Sequence, residues 1–282
     1  MIGAAENVPT AEDADLYLVG LGLKPSHVTA ETRTVLSRVN RILYASYVPG
    51  TAEFLRELCP DIVDTSEFYV HGSDRLRTYK TMAARALEAA LEMPPVALAL
   101  YGHPLLLSLP SAICLRAGPR LGVRVRTLPG ISALDCLMAD LGIDIVGTGV
   151  QMHEATDILL YRRTLQPELA AVVWQVGLLG TRLHSADTGN TPDRIRELGE
   201  YLSRCYAADH PATLVVSAIT DEPSRLYHSA VGQLGEVGEL LTPATTLYLP
   251  PIPAPERVDR DIAARLTNPD YLDAVTLPRG NP

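Results

Sequence analysis

Val96-Ala97-Leu98-Ala99-Leu100-Tyr101-Gly102-His103-Pro104 is the stretch on which the fold turns. Its apolar residues follow one another without polar alternation, as in a strand buried on both faces of a helix-covered parallel sheet. Pro94 and Pro95 stop the helical pattern before it, because proline removes a donor and clashes with the preceding turn. Gly102-His103-Pro104 then ends the strand, leaving unobstructed backbone beside an imidazole. In open α/β sheets ligands bind outside the carboxyl ends of the strands.

Outward from this strand, short apolar runs alternate with helical patterns. Upstream, 75–91 is rich in Ala, Leu, Arg and Glu, strong helix formers. Leu16-Tyr17-Leu18-Val19-Gly20 reads as another buried strand. After Gly20-Leu21-Gly22-Leu23-Lys24-Pro25, a helix opens near Thr29 as N-cap, with Glu31 where the helix dipole favours an anion. Ile42-Leu43-Tyr44 is a strand, 51–58 a helix and 61–64 extended. Downstream come a helix over 108–121, a strand over 123–128 and a helix over 132–141. Such alternation means right-handed crossovers and a largely parallel sheet. After about Gly147 the pattern changes to extended runs at 170–176, 213–218 and 245–249 with one main helix at 192–206, which reads as a mixed sheet. The fold class is therefore α/β in two domains. The expected layout is a disordered tail over 1–13, a Rossmann-like domain over 14–147, a mixed α/β domain over 148–251, and an extended segment and tail over 252–282.

Composition narrows the function. Of 282 residues, 47% are apolar and 20% charged, ordinary for a folded chain. A net charge of −9 argues against a nucleic-acid partner, whose phosphates call for Lys and Arg. Arg116, Arg120, Arg124 and Arg126 form the densest basic group and read as a solvated helix end and strand edge. Cys59, Cys114, Cys136 and Cys205 lie far apart, without the close pairs that metal sites and thiol redox motifs use, so no metal is expected. Residues 1–13 carry Glu6, Glu12 and Asp13 and no apolar core, unlike a signal peptide. The longest apolar run, 169–180, falls short of the roughly 20 residues that span a bilayer. No membrane partner and a cytoplasmic location are expected.

Gly20-x-Gly22 after a strand is half of a dinucleotide fingerprint. The third glycine and the acidic ribose clamp are missing, which argues against an NAD site. Taken alone, a tight turn and a ligand contact explain it equally well. Leu128-Pro129-Gly130-Ile131-Ser132-Ala133 is a second glycine-bearing strand end that runs into a helix, with Ser132 as N-cap. Together with Tyr101-Gly102-His103-Pro104 it begins to define one crevice.

In their order these motifs, with Thr29-x-Glu31, resemble the tetrapyrrole methylase superfamily over residues 16–251. The resemblance implies S-adenosylmethionine bound between a Rossmann-like α/β domain and a mixed α/β domain, in a homodimer. Within that superfamily the chain most resembles the borosin-type peptide backbone N-methyltransferases. The carriers are Asp135-Cys136-Leu137-Met138-Ala139-Asp140-Leu141-Gly142-Ile143-Asp144, Glu154-Ala155-Thr156, Trp174-Gln175-Val176-Gly177, Thr246-Leu247-Tyr248-Leu249-Pro250-Pro251 and the spacing of Tyr69, Arg75 and Tyr79. The resemblance implies that Tyr101, His103, Leu106, Ser132, Ala133, Gln175, Ser217, Thr245 and Thr246 contact the cofactor. It implies that Arg75 and Tyr79, assisted by Tyr69, face the acceptor, and that Tyr101 borders the transfer site. Leu105 stands where the family has glycine after Gly-His-Pro, so the loop must take another path. His153 stands where it has an aromatic before Glu-Ala-Thr. The chain ends about 30 residues after Pro251 without an apolar core peptide, so the acceptor is expected to be a separate precursor peptide.

An amide nitrogen is a poor nucleophile because its lone pair is delocalised into the carbonyl. Activation needs proton removal together with charge stabilisation on the oxygen. Tyr79 lies one helical turn after Arg75 on the same face, where the guanidinium would favour phenolate. Tyr79 is thus the expected base or relay, Arg75 the oxyanion stabiliser, and Tyr69 the completion of the network. His103 reads as a turn imidazole beside the cofactor, His153 as structural, and Trp174 as core. Two alternatives stay open: a tetrapyrrole C-methyltransferase, for which Arg75, Arg77 and Lys80 offer cations, and a catalytically silent cofactor-binding module.

Overall fold

The computed structural model describes residues 14–184, 192–253 and 259–262. The tail expected over 1–13, and most of the segment expected over 252–282, lie outside the described residues.

The first sheet holds β1 (Leu16–Gly20), β2 (Arg41–Ala45), β3 (Ile62–Asp64), β4 (Val96–Leu100) and β5 (Val125–Leu128), all parallel, in the order β3-β2-β4-β1-β5. Every residue of β1 and β4 is buried, because these strands have neighbours on both sides and helices on both faces. Alternation along the strands sends Tyr17, Val19, Ile42, Tyr44, Ala97 and Ala99 to one face, against α1 (Ala30–Leu36) and α2 (Thr51–Leu58). Leu16, Leu18, Leu43, Val96 and Leu98 go to the other face, against α3 (Arg75–Glu92) and α4 (Leu109–Ala117). Thr29 caps α1 as expected, its hydroxyl accepting from the Thr32 N–H at 3.1 Å.

The helix expected over 108–121 is shorter. It ends at Ala117 and tightens into a 3-10 turn, Gly118–Leu121. Gly118 lies so close to Val125 that a Cβ there would overlap its side chain, and Gly122 turns left-handed at φ 76°. The following strand therefore starts at Val125 rather than 123.

The second sheet holds β6 (Val150–Glu154), β7 (Ala170–Trp174), β8 (Pro211–Val216), β9 (Arg225–Ala230) and β10 (Thr246–Leu249), in the order β6-β7-β10-β8-β9. Only β6 and β7 run parallel. One face packs on α6 (Ala155–Leu160), α7 (Pro192–Leu202) and the 3-10 stretch Val231–Leu240. The helix expected to reach 206 stops at Leu202. The other face meets the first half of the chain: Leu137 of α5 (Ala133–Leu141) packs with Val172, Trp174 and Val215. Thus α5 carries apolar contact from the first half of the chain to the second sheet. Among the described residues no helix is long and apolar enough to cross a membrane.

Candidate active site

Three strand ends meet on glycine. β1 ends at Gly20, β4 continues into Tyr101-Gly102, and β5 into Pro129-Gly130. A Cβ added at Gly130 would lie 2.7 Å from both the Gly102 carbonyl oxygen and the Gly20 Cα, so backbone packs on backbone there and no side chain fits. Pairing continues past the strands, with the Gly102 N–H donating to the Gly22 carbonyl at 2.9 Å. Gly102, at φ 70°, faces open space. Bare backbone at the carboxyl edge of a parallel sheet forms the floor of a ligand crevice.

Over this floor opens a cavity of about 610 Å³, a size suited to a small-molecule site. Tyr69, Arg75 and Tyr79 stand on one wall. Asp74 caps α3 by accepting from the Leu76 N–H at 2.9 Å, which aims the first turn, and with it Arg75 and Tyr79, at the cavity. The Tyr69 and Tyr79 rings meet edge to face, 6.1 Å between centroids. Burial pushes the Tyr69 hydroxyl's pKa far above the usual phenol value, and Tyr79 beside it adds to the rise. The Arg75 guanidinium acts in the opposite direction and is outweighed. Tyr69 is therefore a proton-bearing phenol at neutral pH.

A segment from the second half holds this wall. The Gly72 N–H donates to the His184 carbonyl at 2.8 Å, the His184 N–H to the Ser73 carbonyl at 2.8 Å, and the Arg75 N–H to the Arg182 carbonyl at 3.1 Å. Arg182 pairs with Asp74 at 2.6 Å. The Arg75 side chain donates through Nη2 to the Thr181 carbonyl at 2.7 Å, and the His184 ring lies 4.8 Å from that of Tyr69. Residues 72–75 and 181–184 thus form a short antiparallel clasp between the two halves. Sequence reading passed over 181–184, which is polar, brief and without periodicity.

Of the residues expected at the cofactor, Tyr101, His103, Leu106, Ala133, Gln175, Thr245 and Thr246 line the cavity. Gln175 follows β7 in the left-handed region at φ 58°, uncommon for a side chain with a Cβ and found most often where function fixes the backbone. Tyr101 sits against Tyr47, 4.8 Å between ring centroids; burial first, and Tyr47 second, push its pKa far up. Leu105 points outward, 47% exposed. Its N–H donates to His103 Nδ1 at 3.1 Å, and the loop passes the cavity through Leu106 and Leu107 instead. His153 is half-buried on β6 and does not line the cavity. Trp174 is buried core and cavity wall together.

Ser132 and Ser217 stand elsewhere. Ser132 caps α5 in a reciprocal box with Asp135, whose carboxylate accepts from the Ser132 N–H at 2.6 Å. Ser217 donates to Asp140 at 2.6 Å, and Ser224 to the other oxygen of the same carboxylate at 2.8 Å. Ser217 lines a side cavity of about 360 Å³, which shares Tyr47, Pro243 and Ala244 with the main one. Sequence reading had no assignment for Tyr47, Pro243 or Ala244. Tyr47 follows a parallel strand's carboxyl end, a signal that could have found it.

Comparison with known proteins gives one consistent answer. Residues 15–235 match the family described as Tetrapyrrole (Corrin/Porphyrin) Methylases. A methyltransferase/ribosomally synthesized cyclic peptide gymnopeptides precursor of Gymnopus fusipes is 30% identical over 84% of this chain and 57% of its own length. A methyltransferase/ribosomally synthesized type I borosin cyclic peptide precursor of Coprinopsis marcescibilis is 30% identical over 95% of this chain and 70% of its own. The chain thus spans little more than half of the first of these relatives. Among solved structures, uroporphyrin-III C-methyl transferase from Thermus thermophilus complexed with S-adenyl homocysteine superposes with a TM-score of 0.57, at 20% identity, over 83% of this chain and 96% of that one.

Proposed function

The chain belongs to the tetrapyrrole (corrin/porphyrin) methylase family, and we propose that it is an S-adenosylmethionine-dependent methyltransferase whose acceptor is a backbone amide nitrogen of a separate ribosomal precursor peptide. The observation that carries this reading is that Tyr69, Arg75 and Tyr79 line the same cavity as Tyr101 and Gln175. The relatives' own names, which join methyltransferase to peptide precursor, support it.

The cavity suits the donor. Its glycine floor admits a ligand close to backbone, its walls are mostly apolar, and Gln175, Thr245 and Thr246 supply polar contacts. When bound, S-adenosylmethionine supplies an electrophilic methyl group. The chain's own residues do the rest. Arg75, fixed by the Thr181 carbonyl, turns its remaining N–H groups to the amide oxygen and stabilises charge growing there. Tyr79, in its phenolate form, takes the amide proton as the nitrogen becomes imidate-like, and the proton-bearing Tyr69 donates a hydrogen bond that holds that phenolate in place. Tyr101, with its apolar surroundings, excludes water. Holding nitrogen and methyl in line supplies the part of the barrier that a weak base cannot.

A tetrapyrrole carries several carboxylates and calls for several cations. Arg75 is the one Lys or Arg among the described lining residues, while Arg77 and Lys80 face a separate outer groove; this favours the peptide. The proposed assembly is a homodimer, for which Leu107 and Leu183, about half exposed at the cavity wall, offer apolar surface. Mass spectrometry of the protein incubated with S-adenosylmethionine and the peptide encoded beside it is expected to show additions of one methyl mass on backbone nitrogens. Donor binding without methylation of any such peptide would overturn the reading.

A further inference from the structure

Glu154-Ala155-Thr156 carries part of the family resemblance in the sequence, yet none of the three lines the cavity. The structure gives each a task. Ala155 is buried in the core of the second half. Glu154 caps α6, one carboxylate oxygen accepting from the Asp157 N–H and the other from the Thr156 hydroxyl, both at 2.9 Å. A hydroxyl has one hydrogen to give. With that hydrogen on Glu154, Thr156 Oγ1 turns a lone pair to the Gly180 N–H at 3.1 Å. Gly180 belongs to a tight turn, Leu178-Leu179-Gly180-Thr181, closed by the Thr181 N–H donating to the Leu178 carbonyl at 3.0 Å. Leu179 has φ −53° and ψ 123°, and Gly180 has φ 67°. These are type II values, and the positive φ at the third position calls for glycine. The central peptide of the turn, between Leu179 and Gly180, is gripped at both ends: its N–H by Thr156, and its carbonyl by Arg194 Nη1 at 3.1 Å.

We infer that Thr156, oriented by Glu154, is a positioning residue for Arg75. The role rests on the amide-methylation reading and deepens it. A flip of the central peptide separates a type II turn from a type I, so the grip on that peptide selects the turn. The turn ends at Thr181, whose carbonyl accepts from Arg75 Nη2 at 2.7 Å. By fixing the turn, Thr156 fixes where that carbonyl points, and hence how the remaining guanidinium N–H groups meet the acceptor's amide oxygen. The path from the Glu154 carboxylate to the guanidinium is hydrogen bonds and one turn, without a break. Thr156 stands outside the cavity and acts only through Arg75. Gly180 is exposed, so water replaces the lost partner when the hydroxyl is removed, and stability changes little. Geometry is what is lost, and a misplacement of about 1 Å costs about 10²-fold in rate.

The test is peptide methylation by the whole protein, with kcat and KM followed by mass spectrometry in Thr156→Val, Thr156→Ser and Glu154→Gln. Thr156→Val keeps the side-chain shape without the hydroxyl. Its kcat is expected to fall about tenfold, with KM for the peptide and affinity for S-adenosylhomocysteine by calorimetry unchanged. Thr156→Ser restores the hydroxyl and is expected to turn over near the wild-type rate. Glu154→Gln leaves one acceptor oxygen for two donors; a smaller fall in kcat is expected, and this variant carries the test should Thr156→Val not fold. In an Arg75→Lys background, where the fork aligned by Thr181 is gone, Thr156→Val is expected to cost little more, because both changes act on one interaction. Wild-type kcat in both Thr156→Val and Glu154→Gln, or a Thr156→Ser as slow as Thr156→Val, would overturn the role. So would losses that multiply in the double variant, or a fall in donor affinity alongside turnover. Each of these leaves the amide-methylation reading standing, whereas a wild type that methylates no amide removes that reading and this inference with it.

Discussion

Arg75 spends one N–H on the Thr181 carbonyl at 2.7 Å and keeps the rest for the cavity. A planar fork can serve both directions; the single ammonium of lysine cannot. Arg75→Lys preserves the charge, so any loss reports geometry. Turnover of peptide is expected to fall about 10²-fold with donor affinity by calorimetry unchanged. Ser132 offers a second residue-level test. Burial pushes the Asp135 carboxyl up, but the Ser132 hydroxyl and N–H bonds outweigh it and hold the group below the usual carboxylate range. A group depressed in the folded state contributes stability above its unfolded pKa and loses it as pH falls through the folded one. Ser132→Ala is thus expected to cost about 1 kcal/mol at neutral pH, in denaturant melts. The difference from wild type should shrink as pH drops below about 4. That Ser132 would cap a helix was legible from Ser-x-x-Asp at a strand end. That the cavity would be lined by Ala133 and not by Ser132 itself was not, because a cap and a ligand contact share one local sequence.

At the level of elements, β1, β4 and the helices around them could be read directly because their side chains obey a period that burial imposes. β6, β9, α6 and the stretch Val231–Leu240 could not. β6 and β9 are edge strands with one neighbour each, so Gln151 and His153, or Tyr227 and His228, mix polar with apolar positions without a clear alternation. The clasp of 72–75 on 181–184 is a contact across about a hundred residues that no local pattern encodes. The Asp140 tether is of the same kind. One carboxylate on α5 accepts from Ser217 and Ser224, tying the helix that begins at Ala133 to the β8–β9 connection. Asp140→Ala frees both hydroxyls and loosens the side-cavity wall without touching Arg75 or Tyr79. Charge-assisted bonds of this type are worth about 1.5–3 kcal/mol each. Because that wall shares Tyr47, Pro243 and Ala244 with the main cavity, affinity for S-adenosylhomocysteine is expected to fall roughly tenfold, whereas kcat at saturating donor stays near wild type. A lowered kcat with intact affinity would place Ser217 and its tether on the acceptor side instead.

For the whole molecule, the decisive feature is that neither sheet owns the cavity. Tyr101, His103 and Ala133 come from the first half; Gln175, Thr245 and Thr246 come from the second. The halves are joined by apolar packing of Leu137 on Trp174 and Val215, by the Asp140 tether and by the clasp at Asp74 and Arg182. A ligand that touches both halves binds only their closed arrangement and so adds its free energy to the cohesion of the pair. At a concentration 100 times its dissociation constant, S-adenosylhomocysteine should add about 2.7 kcal/mol. For a chain of this size, about 2–4 °C per kcal/mol, the expected rise in Tm is about 5–10 °C. Scanning calorimetry should show one transition that moves as a unit, and Asp140→Ala should narrow the shift because a weaker complex contributes less at the same concentration. Two transitions, of which the ligand moves only one, would mean that a single half holds the donor. Arg75, held from across the clasp, would then have no fixed place relative to the methyl group.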